Sequence, residues 1–268
     1  MRRHTGSRSF GTPQLDQRVI PGLVGHWMGG GSGLSWRDLS GYQNDAVFTG
    51  SPKWTIGGIR SDRSAVQLVS GGTDLLNCGS PSIFDDVATL TLTAWVYSTS
   101  FADEQQIVAK LSVAYSGWTF YIAITTGVLG WFQSATDSVL FETNQAVTLN
   151  RWTHVAFSRS VLAGAPSGVF YLDGVLCTLG ADQQGTGAVS DAAQNLTIGS
   201  READGSGMAG IIDDVRVYNR VLSQVEISLL ASPSFYPVVA VGRRACKTPA
   251  AGWGPLLGGS RARLVVAA

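Results

Sequence analysis

The sequence predicts an all-β chain folded as a two-layer sandwich, with an extended arm at each end. Three observations point there. Short segments with period-2 alternation recur at close intervals, separated by Gly, Asp, Asn and Pro clusters. Only 14% of the 268 residues are charged and 33 are glycine, a balance that suits short strands and tight turns better than helices. Asp173-Gly174 lies between two apolar runs, and that dipeptide supplies the positive φ angles of a two-residue hairpin turn. A sandwich can reach this length without dividing into further domains.

Residues 1–19 read as an N-terminal arm, because Gly11 and Pro13 work against regular structure. The sandwich spans 20–232 and opens on Leu23–Trp27. Gly29–Gly33 is a flexible loop. Asp38-Leu-Ser-Gly-Tyr-Gln-Asn-Asp45 is turn-rich, and its side-chain oxygens can either close turns or hold calcium. Ala65–Leu68 and Asp74–Cys78 suggest short strands. Leu90, Leu92, Ala94 and Val96 alternate with Thr91, Thr93, Trp95 and Tyr97, a half-buried strand. Gln106–Leu111, Trp118–Ile124, Val128–Gln133 and Ser138–Thr143 then form a meander, with Gly127 at a hairpin turn. Trp152–Arg159 is a strand, Val169–Leu172 pairs with Val175–Leu179 across Asp173-Gly174, and Asn195–Gly199 precedes the closing strand.

In Gly210–Ile227, alternation puts Ile211, Asp213, Val215 and Val217 on one face and Ile212, Asp214, Arg216 and Tyr218 on the other. A carboxylate beside valines is costly to desolvate, so Asp213 is expected to accept backbone hydrogen bonds or to coordinate a cation. Asp214 and Arg216 can pair on the other face. Ser223-x-x-Glu226 is a capping box that starts a short helix ending before Pro233. Residues 233–268 form a C-terminal arm. Its Trp253, Leu256, Leu257 and Leu264-Val-Val266 are apolar groups that imply docking on this domain or on a neighbour.

Asp213-Asp-Val-Arg-Val-Tyr-Asn-Arg-Val-Leu-Ser223 followed by Glu226-Ile227 resembles the closing motif of laminin-G-like domains of the concanavalin A-like jelly-roll superfamily. Gly22-Leu-Val-Gly-His-Trp27, Asp38-Leu-Ser-Gly, Leu92-Thr-Ala-Trp-Val96, Arg151-Trp-Thr-His-Val-Ala156, Tyr171-Leu-Asp-Gly-Val175 and Leu196-Thr-Ile-Gly199 follow the family's order. The resemblance implies a concanavalin A-like jelly-roll β-sandwich. It also implies a divalent ion near the first loop and the last strand, where Asp38, Asn44 and Asp213 match, so calcium is the candidate cofactor; the alternative is that Asp38 and Asn44 brace the turn while Asp213 accepts backbone hydrogen bonds. Gly29-Gly-Gly-Ser, in place of a more acidic loop, weakens that expectation. The laminarinase branch carries Glu-x-Asp-x-Glu on one strand. No such triplet occurs here, and Asp85-Asp86, Asp103-Glu104 and Asp213-Asp214 are adjacent pairs whose members point to opposite faces of a strand. No nucleophile elbow, phosphate loop or metalloprotease helix is present either, so the chain is not expected to be an enzyme.

Charge divides the chain. Residues 1–18 hold four Arg and one Asp, 227–268 hold four Arg and one Lys without an acid, and the body holds ten bases against eighteen acids. An acidic body with basic ends can draw the arms of neighbouring copies to its surface, and Arg243, Arg244, Lys247, Arg261 and Arg263 are the candidate assembly residues. Cys78, Cys177 and Cys246 fit no metal or redox spacing and are expected reduced. The first residues lack the apolar core of a signal peptide. Laminin-G-like domains with such arms resemble proteins encoded among the structural genes of tailed bacteriophages. That resemblance implies a non-enzymatic virion component, a capsid decoration or tail-associated module assembled in the host cytoplasm. Its expected partners are copies of itself, other virion proteins and a glycan, with no nucleic acid and no membrane insertion. The alternative is a calcium-dependent carbohydrate-binding lectin of cellular origin. Of Trp95, Tyr97, Trp118, Tyr121 and Trp131, any that faces outward is a sugar platform, although core filling is favoured for most. Of the three histidines, His4 lies in the arm and His26 in the first strand, and His154 is expected to satisfy a structural hydrogen bond rather than to bind metal.

Overall fold

The computed structural model describes residues 20–233, apart from 31–32, 60–63, 70–73, 113, 136, 163–164, 184, 188 and 202–205. The N-terminal arm and residues 234–268 lie outside the described residues, and with them Arg243, Arg244, Lys247, Arg261, Arg263 and Cys246. In chain order the strands are β1 (Leu23–Trp27), β2 (Ser35–Trp36), β3 (Ala46–Thr49), β4 (Lys53–Ile56), β5 (Ser64–Leu68), β6 (Leu75–Asn77), β7 (Leu90–Ser98), β8 (Gln105–Leu111) and β9 (Gly117–Ile122). They continue as β10 (Val128–Gln133), β11 (Val139–Ala146), β12 (Trp152–Leu162), β13 (Ala165–Leu172), β14 (Val175–Leu176), β15 (Leu179–Gln183), β16 (Thr197–Ile198) and β17 (Gly210–Tyr218), before helix α1 (Gln224–Leu230).

Two antiparallel sheets form the sandwich. The first runs β14-β13-β12-β7-β17-β5-β4 with β1 also paired to β17, and the second runs β15-β11-β10-β9-β8-β16-β6-β3-β2. Between them lies an aromatic stack drawn from both layers. Trp118 and Trp131 of the second sheet stack at 5.0 Å, Trp131 meets Phe157 of the first at 4.4 Å, and Phe157 meets Phe170 at 4.7 Å. Each such ring contributes about 2–3 kcal/mol of burial, and the offset pairs add about 0.5–1.5 kcal/mol. A smaller cluster seals the outer face of the first sheet, where Leu222, Ile227 and Leu230 of the α1 region cover Ala156, Tyr171 and Tyr218. The Ser223–Glu226 capping box starts that helix as expected, and the helix places its apolar side on the sheet.

Two sequence expectations change. The alternation through β17 is broken by a bulge between Asp213 and Arg216, with Asp214 at φ 48°. Ile212 therefore shares the core face with Val215 and Val217, and Asp213 does not. The hairpin turn at Asp173 and Gly174 has φ 49° and 78°, as its sequence requires, but 175–179 is not one strand. It ends in β14 at the edge of the first sheet and resumes as β15 at the edge of the second. Cys78 is buried and Cys177 partly so, both as free thiols.

Candidate functional site

β17 changes partners midway, pairing with β5 at Gly210–Ile212 and with β1 from Val215 to Tyr218. Asp213 sits at the junction. One carboxylate oxygen accepts from the amides of Gly29 (3.1 Å) and Asp214 (2.8 Å), and the other accepts from Ile59 (3.2 Å). Burial pushes its pKa up to about 6, with those amides working against the rise. Asp38 is similarly occupied. Its Oδ1 accepts from the amides of His26 (3.0 Å) and Ser40 (2.8 Å), and its Oδ2 accepts from the Ser40 hydroxyl (2.8 Å) and the Asn44 amide (3.0 Å). Four donors use the lone-pair positions a carboxylate offers. Asn44 also takes the Trp27 indole N–H on its carbonyl at 3.0 Å. All three candidate calcium residues thus brace backbone next to β1 or β17. Among the described residues no three His, Cys, Asp or Glu side chains group so as to hold a metal ion.

On the outer face of the first sheet, Arg216 donates from Nε and Nη2 to the two oxygens of Asp214 at 2.7 and 2.8 Å, and His26 Nε2 lies 2.8 Å from Asp214 Oδ1. Arg216 and His26 are each 1% exposed. The Arg216 guanidinium holds Asp214 well below the usual carboxylate range against the opposing cost of burial. Burial lowers the pKa of His26, and lowers that of His154, packed 5.3 Å from the Trp95 ring, to about 3. This cluster is closed to ligands and joins β1 to β17.

The second sheet presents an open groove. Because Trp131 points into the core, its neighbours Gly130 and Phe132 point outward, beside Tyr121 and Thr119 on β9 and Glu142 and Leu140 on β11. A side chain at 130 would collide with the Tyr121 ring. Glycine there lets that ring lie across β10, so its hydroxyl donates to Glu142 at 3.0 Å. Glu104, Tyr115, Thr119, Tyr121, Phe132 and Arg201 are among the walls of a groove of about 380 Å³. Gln106 ties Glu104 to Thr119, donating to the carboxylate at 2.7 Å and accepting from the hydroxyl. At the mouth stands Tyr115, 55% exposed. It holds φ 58°, a left-handed conformation that costs a bulky residue about 1 kcal/mol or more. The turn that imposes it is closed by Tyr115 N to Ser112 O and Ser112 N to Ser116 O, each 3.0 Å. Phe132 meets the Tyr115 ring edge-on at 6.0 Å, and the Arg201 guanidinium lies 4.8 Å from its centroid. Aromatic faces above carboxylate, hydroxyl and guanidinium groups match the two sides of a sugar ring, its C–H face and its hydroxyls.

Of the five aromatics that sequence proposed as platforms, only Tyr121 reaches this groove. Trp118 and Trp131 are core, Trp95 is buried against His154, and Tyr97 packs edge-on against Trp152 at 5.8 Å. Tyr115, Phe132 and Arg201 were not singled out. The one available signal was Tyr115 between serines in the gap before β9.

Topology and core define the class: a two-sheet concanavalin A-like sandwich. The family described as the Concanavalin A-like lectin/glucanases superfamily matches residues 70–228, and the chain belongs to it. No curated protein sequence matches. Among solved structures, the binding domain of Paraclostridial Mosquitocidal Protein 1 is similar at TM-score 0.59 and 15% identity, covering 78% of this chain and 52% of that one. Domain 4 of AbnA, a GH43 extracellular arabinanase from Geobacillus stearothermophilus solved with arabinotriose, gives TM-score 0.56 and 20% identity over 78% of this chain and 98% of that one. The binding domain of Botulinum Neurotoxin serotype G gives 0.54 and 16%, over 78% and 50%. The chain spans about half the length of those toxin domains. At these identities the likeness is one of fold. No helix among the described residues is long and apolar enough to cross a membrane.

Proposed function

We propose that the chain is a non-catalytic glycan-binding module, presenting the Tyr115–Phe132 groove and anchored through its arms in a larger assembly, a tailed-phage virion. One observation carries the binding role: a solvent-exposed tyrosine is held in a left-handed turn and clamped between Phe132 and Arg201, at the mouth of a polar-floored groove. Backbone strain of this kind persists where surrounding structure fixes it, and it clusters at ligand sites. The groove carboxylates are already engaged, Glu142 by Tyr121 and Glu104 by Gln106, which suits recognition better than acid–base work. The AbnA domain, solved in complex with arabinotriose, supports the reading at the level of fold. The charge split between body and ends supports the assembly half.

The test is binding of neutral plant and bacterial oligosaccharides to the purified chain, repeated with Phe132→Ala, with chelator and with residues 235–268 deleted. Loss with Phe132→Ala, indifference to chelator, and retained binding but lost assembly in the truncation are expected. Binding that vanishes with chelator would instead give Asp38, Asn44 and Asp213 a calcium role and favour a calcium-dependent lectin. Failure to bind any glycan would remove the proposal.

A further inference from the structure

A second cavity lies at one end of the sandwich, between the layers. Continuing the inward alternation of Trp131 and Phe157 brings Gln133 at the end of β10 and Arg159 on β12 to face each other's sheets. They are 6% and 5% exposed, and both line a cavity of about 330 Å³ with Val87, Ala88, Val189 and Asp191. Arg159 donates from Nη1 to the Val87 carbonyl at 3.2 Å and has its guanidinium 5.8 Å from the Trp131 ring centroid. Its Nε–H and the Gln133 Oε1 have no partner among the described residues. No carboxylate pairs with Arg159 among the described residues, and burial lowers its pKa to about 10, with Asp191 opposing the fall. A buried donor and a buried acceptor left unpaired in one cavity are costly unless something supplies the complementary groups.

The mouth is a rigid frame. Asp86 and Asp191 clasp each other, each carboxylate accepting the other's amide at 3.0 Å, and Ser190 donates to Asp86 at 2.9 Å. Behind them the fully buried Lys110 pairs with Asp85 at 2.9 Å and with Asp191 at 3.1 Å. Three carboxylates thus surround two cations, so an anion entering the cavity meets net repulsion. An apolar ligand would leave Arg159 and Gln133 unpaired. Val87, Ala88 and Val189 offer apolar wall to a C–H face.

We propose that this cavity is a second binding site, independent of the Tyr115 groove, for one neutral monosaccharide unit. One hydroxyl accepts from Arg159 and an adjacent hydroxyl donates to Gln133. The volume falls at the small end of the usual range for ligand cavities. Two sites on one module raise avidity for a branched or dense glycan without any new contact.

The experiment titrates the full chain with the methyl α-glycosides of glucose, galactose, mannose and arabinose, and with methyl glucuronide, following ligand NMR and intrinsic tryptophan fluorescence. A neutral glycoside is expected to bind at millimolar concentration. Binding should fall at least about tenfold in Arg159→Lys, because a hydrogen-bonding site rejects a missing partner strongly, and should survive Tyr115→Ala. Val189 is 43% exposed, so Val189→Trp blocks the mouth without entering the core and decides the matter if Arg159→Lys does not fold. Three outcomes overturn the site: no neutral glycoside binds, binding is lost with Tyr115→Ala but kept with Val189→Trp, or the glucuronide binds more tightly than the glucoside. The second of these leaves the groove reading intact, and loss of groove binding alone leaves this one intact.

Discussion

Arg216 lies within β17 of the first sheet and Arg201 in a loop beside the second, and each lies among acidic or aromatic neighbours. Arg216 is sealed, with both carboxylate oxygens of Asp214 paired to it and His26 completing the cluster. Arg201 instead covers a tyrosine that is more exposed than buried. The contrast teaches how to sort polar residues in this fold. Those whose partners are all protein and whose water is gone hold strands together. Those that support an exposed ring are arranged for something outside the chain.

Breaking the sealed cluster should have the largest effect on folding. Arg216→Ala leaves the Asp214 carboxylate buried without its guanidinium, which costs about 3–5 kcal/mol, whereas Arg201→Ala should cost about 1 kcal/mol or less. Urea unfolding of both variants measures the gap, and equal costs would erase the distinction.

Acid sharpens the comparison with a smaller effect. His154 has its pKa lowered to about 3 by burial and His26 is lowered too, both from an ordinary histidine value of 6.5. Between about 3 and 6.5 the unfolded chain therefore binds more protons, and stability is lost as pH falls through that window. Asp213 opposes this, because burial raises its folded pKa from 3.8 to about 6, so the folded chain takes up that proton first. His154 and His26 act together against the one aspartate, so stability should fall as pH drops below about 6. Thermal melts should fall in midpoint from pH 7 to pH 5, and His154→Phe should flatten the fall. A midpoint that rises on acidification would show that Asp213 dominates.

Most of the architecture was legible because its signals are local. The Asp173-Gly174 turn and the Ser223–Glu226 box each need only a few neighbouring residues and formed as read, whereas β7 keeps Leu90, Leu92, Ala94 and Val96 on the core face but is not half-buried, because Thr91, Thr93 and Trp95 on its second face are covered as well. The bulge in β17 was hidden because it arises from a change of partner, β5 to β1, set by segments far away in sequence. The same holds for the groove. Phe132, Leu140 and Thr119 meet only through strand register, and Arg201 reaches Tyr115 from another loop. Asp38 and Asp213 were found by pattern, while their backbone donors, Ser40 and Asn44 for one and Gly29 and Ile59 for the other, become apparent only in three dimensions.

The substitution Tyr115→Gly tests the central claim most directly, with unfolding stability and oligosaccharide affinity measured on the same preparation. Glycine occupies the left-handed region without strain, so stability should hold or rise by about 0.5–1 kcal/mol, while affinity falls at least about tenfold as the stacking ring is lost. A variant that binds glycan as well as the parent, or that loses more than about 1 kcal/mol of stability, would mean that Tyr115 belongs to the fold and the groove is not the binding face.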